Sequence, residues 1–151
     1  MTGPSRVLKP EVFPAVAWRN GAGLTRELVD DPSGWRLSVA ELESDAVFSA
    51  FPGLDRIFLP LVDVVLEIDT VRRPVARGTA VAFPGEAKVA VELVAGPGRA
   101  VNLMMARGRC SGRLVARSPG EWEQCGPDRP GWVVDLGEVL VEVQVGSDEW
   151  R

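Results

Sequence analysis

The sequence predicts an all-β fold in which many short strands close on one another as a sandwich or barrel. Three observations carry that prediction. Apolar and polar residues alternate in short runs rich in β-branched side chains, Pro-Gly pairs punctuate those runs, and no segment sustains a 3.6-residue apolar period. A lone sheet of this length would leave an apolar face and two edges in water, which is why closure is expected.

Along the chain, Trp18-Arg19-Asn20-Gly21-Ala22-Gly23 places two glycines between a large aromatic and the Thr25/Glu27 strand. Trp35 to Leu42 alternates, with Arg36 and Ser38 opposite Leu37 and Val39. Either that polar pair faces water over a buried aliphatic face, the simpler reading, or it lines a polar cavity. Val62 to Asp69 sets Val62, Val64, Leu66 and Ile68 on one face. Lys88 to Ala95, Ala100 to Ala106, Leu114 to Arg117 and Trp132 to Val145 read as further strands. In Ala100 to Ala106, Asn102 and Met104 share one face while Leu103 and Met105 take the other, so this strand is expected to be buried on both sides.

Pro52-Gly53, Pro84-Gly85 and Gly96-Pro97-Gly98 supply a fixed φ followed by tolerance of positive φ, the chemistry of a type II turn. Phe-Pro-Gly occurs twice, in FSAFPGLDR and VAFPGEAK, which is either a duplicated β unit or two separate uses of one good turn. Ser118 to Trp132 lacks periodicity and is rich in turn formers, so it reads as a loop before the last strands. The 151 residues are expected to fold as one domain, with residues 111–151 a shortened C-terminal β segment.

Composition excludes several function classes. The 21 acidic and 17 basic residues are interspersed and give a net charge of -4, with no basic stripe to follow a phosphate backbone, so nucleic acid is not an expected partner. No run approaches the ~18 apolar residues of a membrane helix and no leader pattern opens the chain, so a cytoplasmic protein without a membrane partner is expected. Cys110 and Cys125 are the only cysteines and read as reduced thiols. The chain has no histidine, which removes the commonest metal ligand and the commonest general base together.

Five segments carry a family resemblance: WRNGAGLTREL, WRLSVA, FSAFPGLDR, FPG at residue 83, and NLMMARG. In this order they resemble the HutD/Ves family of cupin-like proteins over roughly residues 8–110. In that family's pattern the first glycine stretch runs on through the position held here by Ala22. The resemblance implies a cupin-like double-stranded β-helix barrel with a degenerate, shortened second β unit, found beside genes of histidine utilisation. The spacing of Gly78 and Pro84 is similar to the second cupin motif, with no histidine where a metal-binding cupin needs one, so a metal-free barrel without a cofactor is implied.

The function expected from these residues is non-enzymatic binding of a small carboxylate of histidine catabolism in a regulatory or accessory role. A guanidinium matches a carboxylate with two parallel hydrogen bonds, which makes Arg36, Arg56 and Arg107 the candidates for anion capture. Asn20, Thr25 and Ser38 are candidate neutral partners, and Glu27 is a candidate buried acid. Each arginine could instead pair with Glu27, Asp55 or another acid of the chain, the simpler reading for any one of them, and Glu27 could equally sit in a surface ion pair. No nucleophile stands beside a base and no carboxylate pair is evident, so no catalytic residue is assigned. Two alternatives stand: a metal-independent enzyme acting on a small acid, and an interaction module that forms a homodimer through sheet edges around a filled barrel.

Overall fold

A computed structural model describes residues 6–124 and 131–147. Its strands are β1 (Arg6–Leu8), β2 (Ala15–Ala17), β3 (Gly23–Asp31), β4 (Trp35–Leu42), β5 (Ala46–Val47), β6 (Leu54–Pro60), β7 (Val64–Ile68), β8 (Val71–Val75), β9 (Val81–Pro84), β10 (Val89–Glu92), β11 (Gly98–Ala106) and β12 (Cys110–Arg117). One short helix, α1 (Pro119–Gln124), then leads to β13 (Trp132–Asp135) and β14 (Leu140–Ser147). They form three sheets, of order β2-β3-β4-β11-β6-β9, β5-β10-β7-β8 and β1-β13-β14-β12.

The six-stranded sheet is the organising layer, because alternation along its central strands feeds two different cores. Leu37 and Val39 of β4, Ile57 and Leu59 of β6, and Val101 and Leu103 of β11 point to one side, where they pack with Val134, Val141 and Val143 of the C-terminal sheet. Ala40, Leu42, Phe58 and Ala100 point to the other side and meet Val64, Leu66, Val89 and Val91 of the second sheet. Fully burying one such Leu or Val contributes about 1.5–3 kcal/mol, so each face is anchored by several side chains of that worth. As the pattern at Asn102 to Met105 predicts, β11 is buried on both sides.

The six-stranded and second sheets lie face to face as a cupin-like jelly roll, and among the described residues no strand pairing joins them into a ring. The C-terminal strands and β1 form the third sheet. It covers the aliphatic face of β4, which leaves Arg36 and Ser38 on the side enclosed by the jelly roll. Of the two readings of that strand the structure takes the second: Arg36 and Ser38, both partly exposed, line the cavity.

Several boundaries differ from the sequence reading. The strand expected at Leu114 begins at Cys110, and the run from Trp132 to Val145 is two strands. They are split by a turn in which Gly137, at φ 89°, donates its N–H to Asp135 Oδ1. The loop from Ser118 contains α1, started by a capping box: Ser118 Oγ accepts from the Glu121 N–H while Glu121 Oε1 accepts from that of Ser118. Cys125 and Trp150 lie outside the described residues. β6 shows no alternation because Ile57 through Pro60 are all buried, and β8 contains Pro74, which suits its place on a sheet edge.

Candidate functional site

The glycine-bearing hairpin between β2 and β3 forms one lip of the cavity that the jelly roll encloses. Gly21 sits at φ 74°, where a side chain would be strained, and a Cβ on Gly23 would run into the Glu41 carbonyl oxygen. Ala22 needs neither freedom: it is buried, and its N–H donates to Asn20 Oδ1 at 2.9 Å. Trp18 closes the lip by donating its indole N–H to Thr25 Oγ1 at 2.6 Å and meeting Phe48 edge-on.

The cavity has a volume of about 570 Å³ and its floor is set by sheet register. On β11, Met104 lies opposite Arg36 of β4 and Arg56 of β6, and Asn102 lies opposite Ser38 and Phe58. Both rows face the enclosed side and line the cavity, together with Thr25, Glu27, Asn20 and the segment from Val47 to Phe51. Six of the seven residues singled out in the sequence thus stand around one space.

Arg56 is the most buried of them, at 5% exposure. Its guanidinium lies 5.2–5.3 Å from the ring centres of Phe48, Phe51 and Phe83, the geometry of cation–π attraction. One Nη donates to the Ser49 carbonyl at 3.2 Å, and Nε has no acceptor. No carboxylate is paired with Arg56 among the described residues. Burial lowers its pKa to about 10, so it remains a cation at neutral pH. A buried cation without a counter-charge is rare in proteins, because desolvation is normally offset by an acid.

The two Phe-Pro-Gly segments explain how this arginine is seated. They touch each other: the Phe51 N–H donates to the Gly85 carbonyl, and the Gly85 N–H donates to that of Leu54. Gly53 takes φ 82° in its turn, as a Pro-Gly type II turn requires. Gly85 does not take positive φ; it is small because a Cβ there would collide with the Phe51 carbonyl. The repeat is therefore two different uses of glycine that bring Phe51 and Phe83 against Arg56.

Two assignments change. Glu27 is not a buried acid: its side chain is 53% exposed at the cavity rim, 4.0 Å from Arg36. Arg36, itself half exposed, also directs an Nη toward Met104 Sδ at 3.8 Å and stands over Phe51. Arg107 does not join the cavity. It is held by Asp55 at 2.9 Å and Glu86 at 2.7 Å, and donates to the Leu54 carbonyl, so its donors are already engaged on the opposite side of β6. Those bonds, with one from the Gly53 N–H, hold Glu86 near pKa 2.

Sequence reasoning missed the aromatic wall and the part played by Asn102, whose Oδ1 is buried without a donor. The signal was present in the parity of Asn102 and Met104, but it became readable only once the register tied them to Arg36 and Arg56.

A family model described as HutD matches residues 11–149. The chain belongs to the HutD family. It is 35% identical, over 72% of its length, to an uncharacterized 21.2 kDa protein in the hutC 3′ region of Pseudomonas putida, and spans only 62% of that relative. The structure of HutD from Pseudomonas fluorescens SBW25, obtained in a formate condition, superposes with a TM-score of 0.68 at 28% identity, covering 78% of this chain and 67% of that one. An RmlC-like cupin from Shewanella frigidimarina shares the fold alone, with TM-score 0.56 at 9% identity over 70% of this chain and 95% of its own.

Metal-binding cupins hold a divalent cation inside this kind of jelly roll. The donors here do not fit one: the cavity floor offers a guanidinium, an amide and a hydroxyl, and Glu27 is the one acid among the described lining residues. The buried charge of Arg56 would repel a cation and attract an anion. Among the described residues, no helix is long and apolar enough to cross a membrane.

Proposed function

We propose that this HutD-family chain is a non-enzymatic binding protein whose cavity takes a small carboxylate, with Arg56 as the inner anchor and Arg36 at the rim. The observation that carries the reading is the positively charged guanidinium of Arg56 in the cavity wall, with no acid paired with it among the described residues. A carboxylate there would supply the missing counter-charge to the guanidinium. Ser38 and Thr25 offer neutral contacts along the same floor. The relative in the hutC 3′ region supports looking for the ligand among the small acids of histidine catabolism, with a regulatory or accessory role in the cytoplasm.

A thermal-shift screen of formate and histidine-pathway acids tests the reading. A ligand present at a hundred times its dissociation constant stabilises the folded state by about 2.7 kcal/mol. Replacement of Arg56 by Met or Arg36 by Ala is expected to weaken any hit, while Arg107→Ala leaves it intact. Failure of every acid to stabilise the protein would overturn the proposal.

A further inference from the structure

The edges of the three sheets are not alike. β8 carries Arg72, Arg73 and Pro74, β9 ends in Pro84, β1 holds Arg6, β12 holds Arg113 and Arg117, and β5 is only Ala46–Val47. Charges, prolines and extreme shortness are the devices that keep a sheet edge from pairing with another chain. β2, the outer strand of the six-stranded sheet, has neither charge nor proline. It reads Ala15-Val16-Ala17, all three residues are exposed, and Val16 keeps 67% of its surface in water.

The ladder to β3 decides which backbone groups of β2 are left over. Trp18, next in register after Ala17 and Leu24, donates its N–H to the Gly23 carbonyl, so by antiparallel alternation it is Val16 that bonds with Thr25. The N–H and C=O groups of Ala15 and Ala17 therefore point away from β3. Among the described residues no strand flanks β2 on that side. Pairing cannot run further toward the N-terminus, because the Phe13 carbonyl accepts from Arg26.

We infer that β2 is a docking edge for a second copy of this chain, paired antiparallel about a two-fold axis at Val16. Ala15 of one copy then lies opposite Ala17 of the other, and each such pair exchanges both backbone bonds, which satisfies every outward group of the strand. Val16 meets its own counterpart at a non-hydrogen-bonded position, where side chains stand closest. The flanking charges suit this arrangement. Glu11, with a side chain 67% exposed, precedes β2, and the exposed Arg19 follows it. An antiparallel copy lays the acidic end of one strand beside the basic end of the other, so register and charge are both self-complementary. The two six-stranded sheets become continuous, and because Val16 shares the face of Thr25, both cavities lie on the same side of the joined sheet.

Sedimentation velocity of the full chain from about 10 to 500 µM tests this, since a contact built on so short a strand falls below the ~1,600 Å² of a tight complex and should be reversible. The expected result is a mass that moves from one chain toward two as concentration rises. Val16→Lys, which sets like charges face to face, should stay a single chain while its circular dichroism and its Tm at low concentration match wild type. On mild oxidation Val16→Cys should link to its counterpart as a covalent dimer on a non-reducing gel, above the background of oxidised wild type, whereas Val12→Cys, at the still more exposed Val12, should not. A single-chain mass throughout the range would overturn the inference. So would a dimer that survives Val16→Lys unchanged, or one in which Val12→Cys links as readily as Val16→Cys.

Discussion

Replacing Arg56 with Met should cost the protein little stability, although the residue is almost completely buried. The lowering of its pKa by burial, from the ordinary guanidinium value to about 10, corresponds to roughly 3 kcal/mol held against the folded state. The sign follows from linkage: a cation whose folded pKa lies below its unfolded value destabilises the fold at every pH below about 10, and the penalty fades only as pH rises through the folded pKa. Against this stand three aromatic rings, at about 0.5–1 kcal/mol each, and one hydrogen bond to the Ser49 carbonyl worth about 1 kcal/mol. These nearly cancel. Met keeps most of the volume and none of the charge, so urea denaturation of Arg56→Met should give a stability within about 1 kcal/mol of wild type, while acid binding weakens. An ordinary buried residue would lose 2–5 kcal/mol on comparable truncation. A loss above about 3 kcal/mol would show that Arg56 is a structural keystone, and the reasoning that it is held in reserve for a ligand would fail.

Other substitutions probe the scaffold. Leu103→Ala empties a fully buried site between the six-stranded and C-terminal sheets and should cost about 2–5 kcal/mol in urea denaturation. Gly85→Ala drives a Cβ into the Phe51 carbonyl, whereas Gly53→Ala meets nothing but sits at φ 82°; the latter should cost about 1 kcal/mol and the former clearly more, with Tm comparison giving the order. Glu86 has a folded pKa near 2 against an ordinary 4.5, so its bonds to Arg107 and Gly53 stabilise the fold above about pH 4.5 and are lost as pH falls toward 2. Glu86→Gln should flatten that part of an acid-unfolding profile, and an unchanged profile would show the bonds to be inconsequential.

The fold was legible because its signals are local. Alternation in Trp35 to Leu42 and Val62 to Asp69, and the Pro-Gly turn at Gly53, each need only a few neighbouring residues to specify them. What escaped was whatever depends on partners distant in sequence. β6 is buried on both faces, so Ile57-Phe58-Leu59 shows no period to read. The capping box at Ser118 and Glu121 was present in the sequence but hidden among turn formers. For the site, the arginines were recognisable by type but not by role. Arg56 and Arg107 both have a carboxylate nearby in sequence or space, yet only the register of β6 and β11 sends Arg107 to Asp55 and Glu86 and turns Arg56 inward to three phenyl rings. Glu27 could be named as a buried acid or as a partner in a surface ion pair, and only the folded register, which sets it 4.0 Å from Arg36 at the rim, decides for the second.

The most direct test is a crystal structure of the protein grown with a small carboxylic acid that stabilises it. The account predicts the carboxylate within about 2.7–3.2 Å of a nitrogen of the Arg56 guanidinium, inside the space between Phe51, Asn102 and Met104. A carboxylate bound elsewhere, or an Arg56 guanidinium engaged instead by an acid of the protein itself, would contradict it.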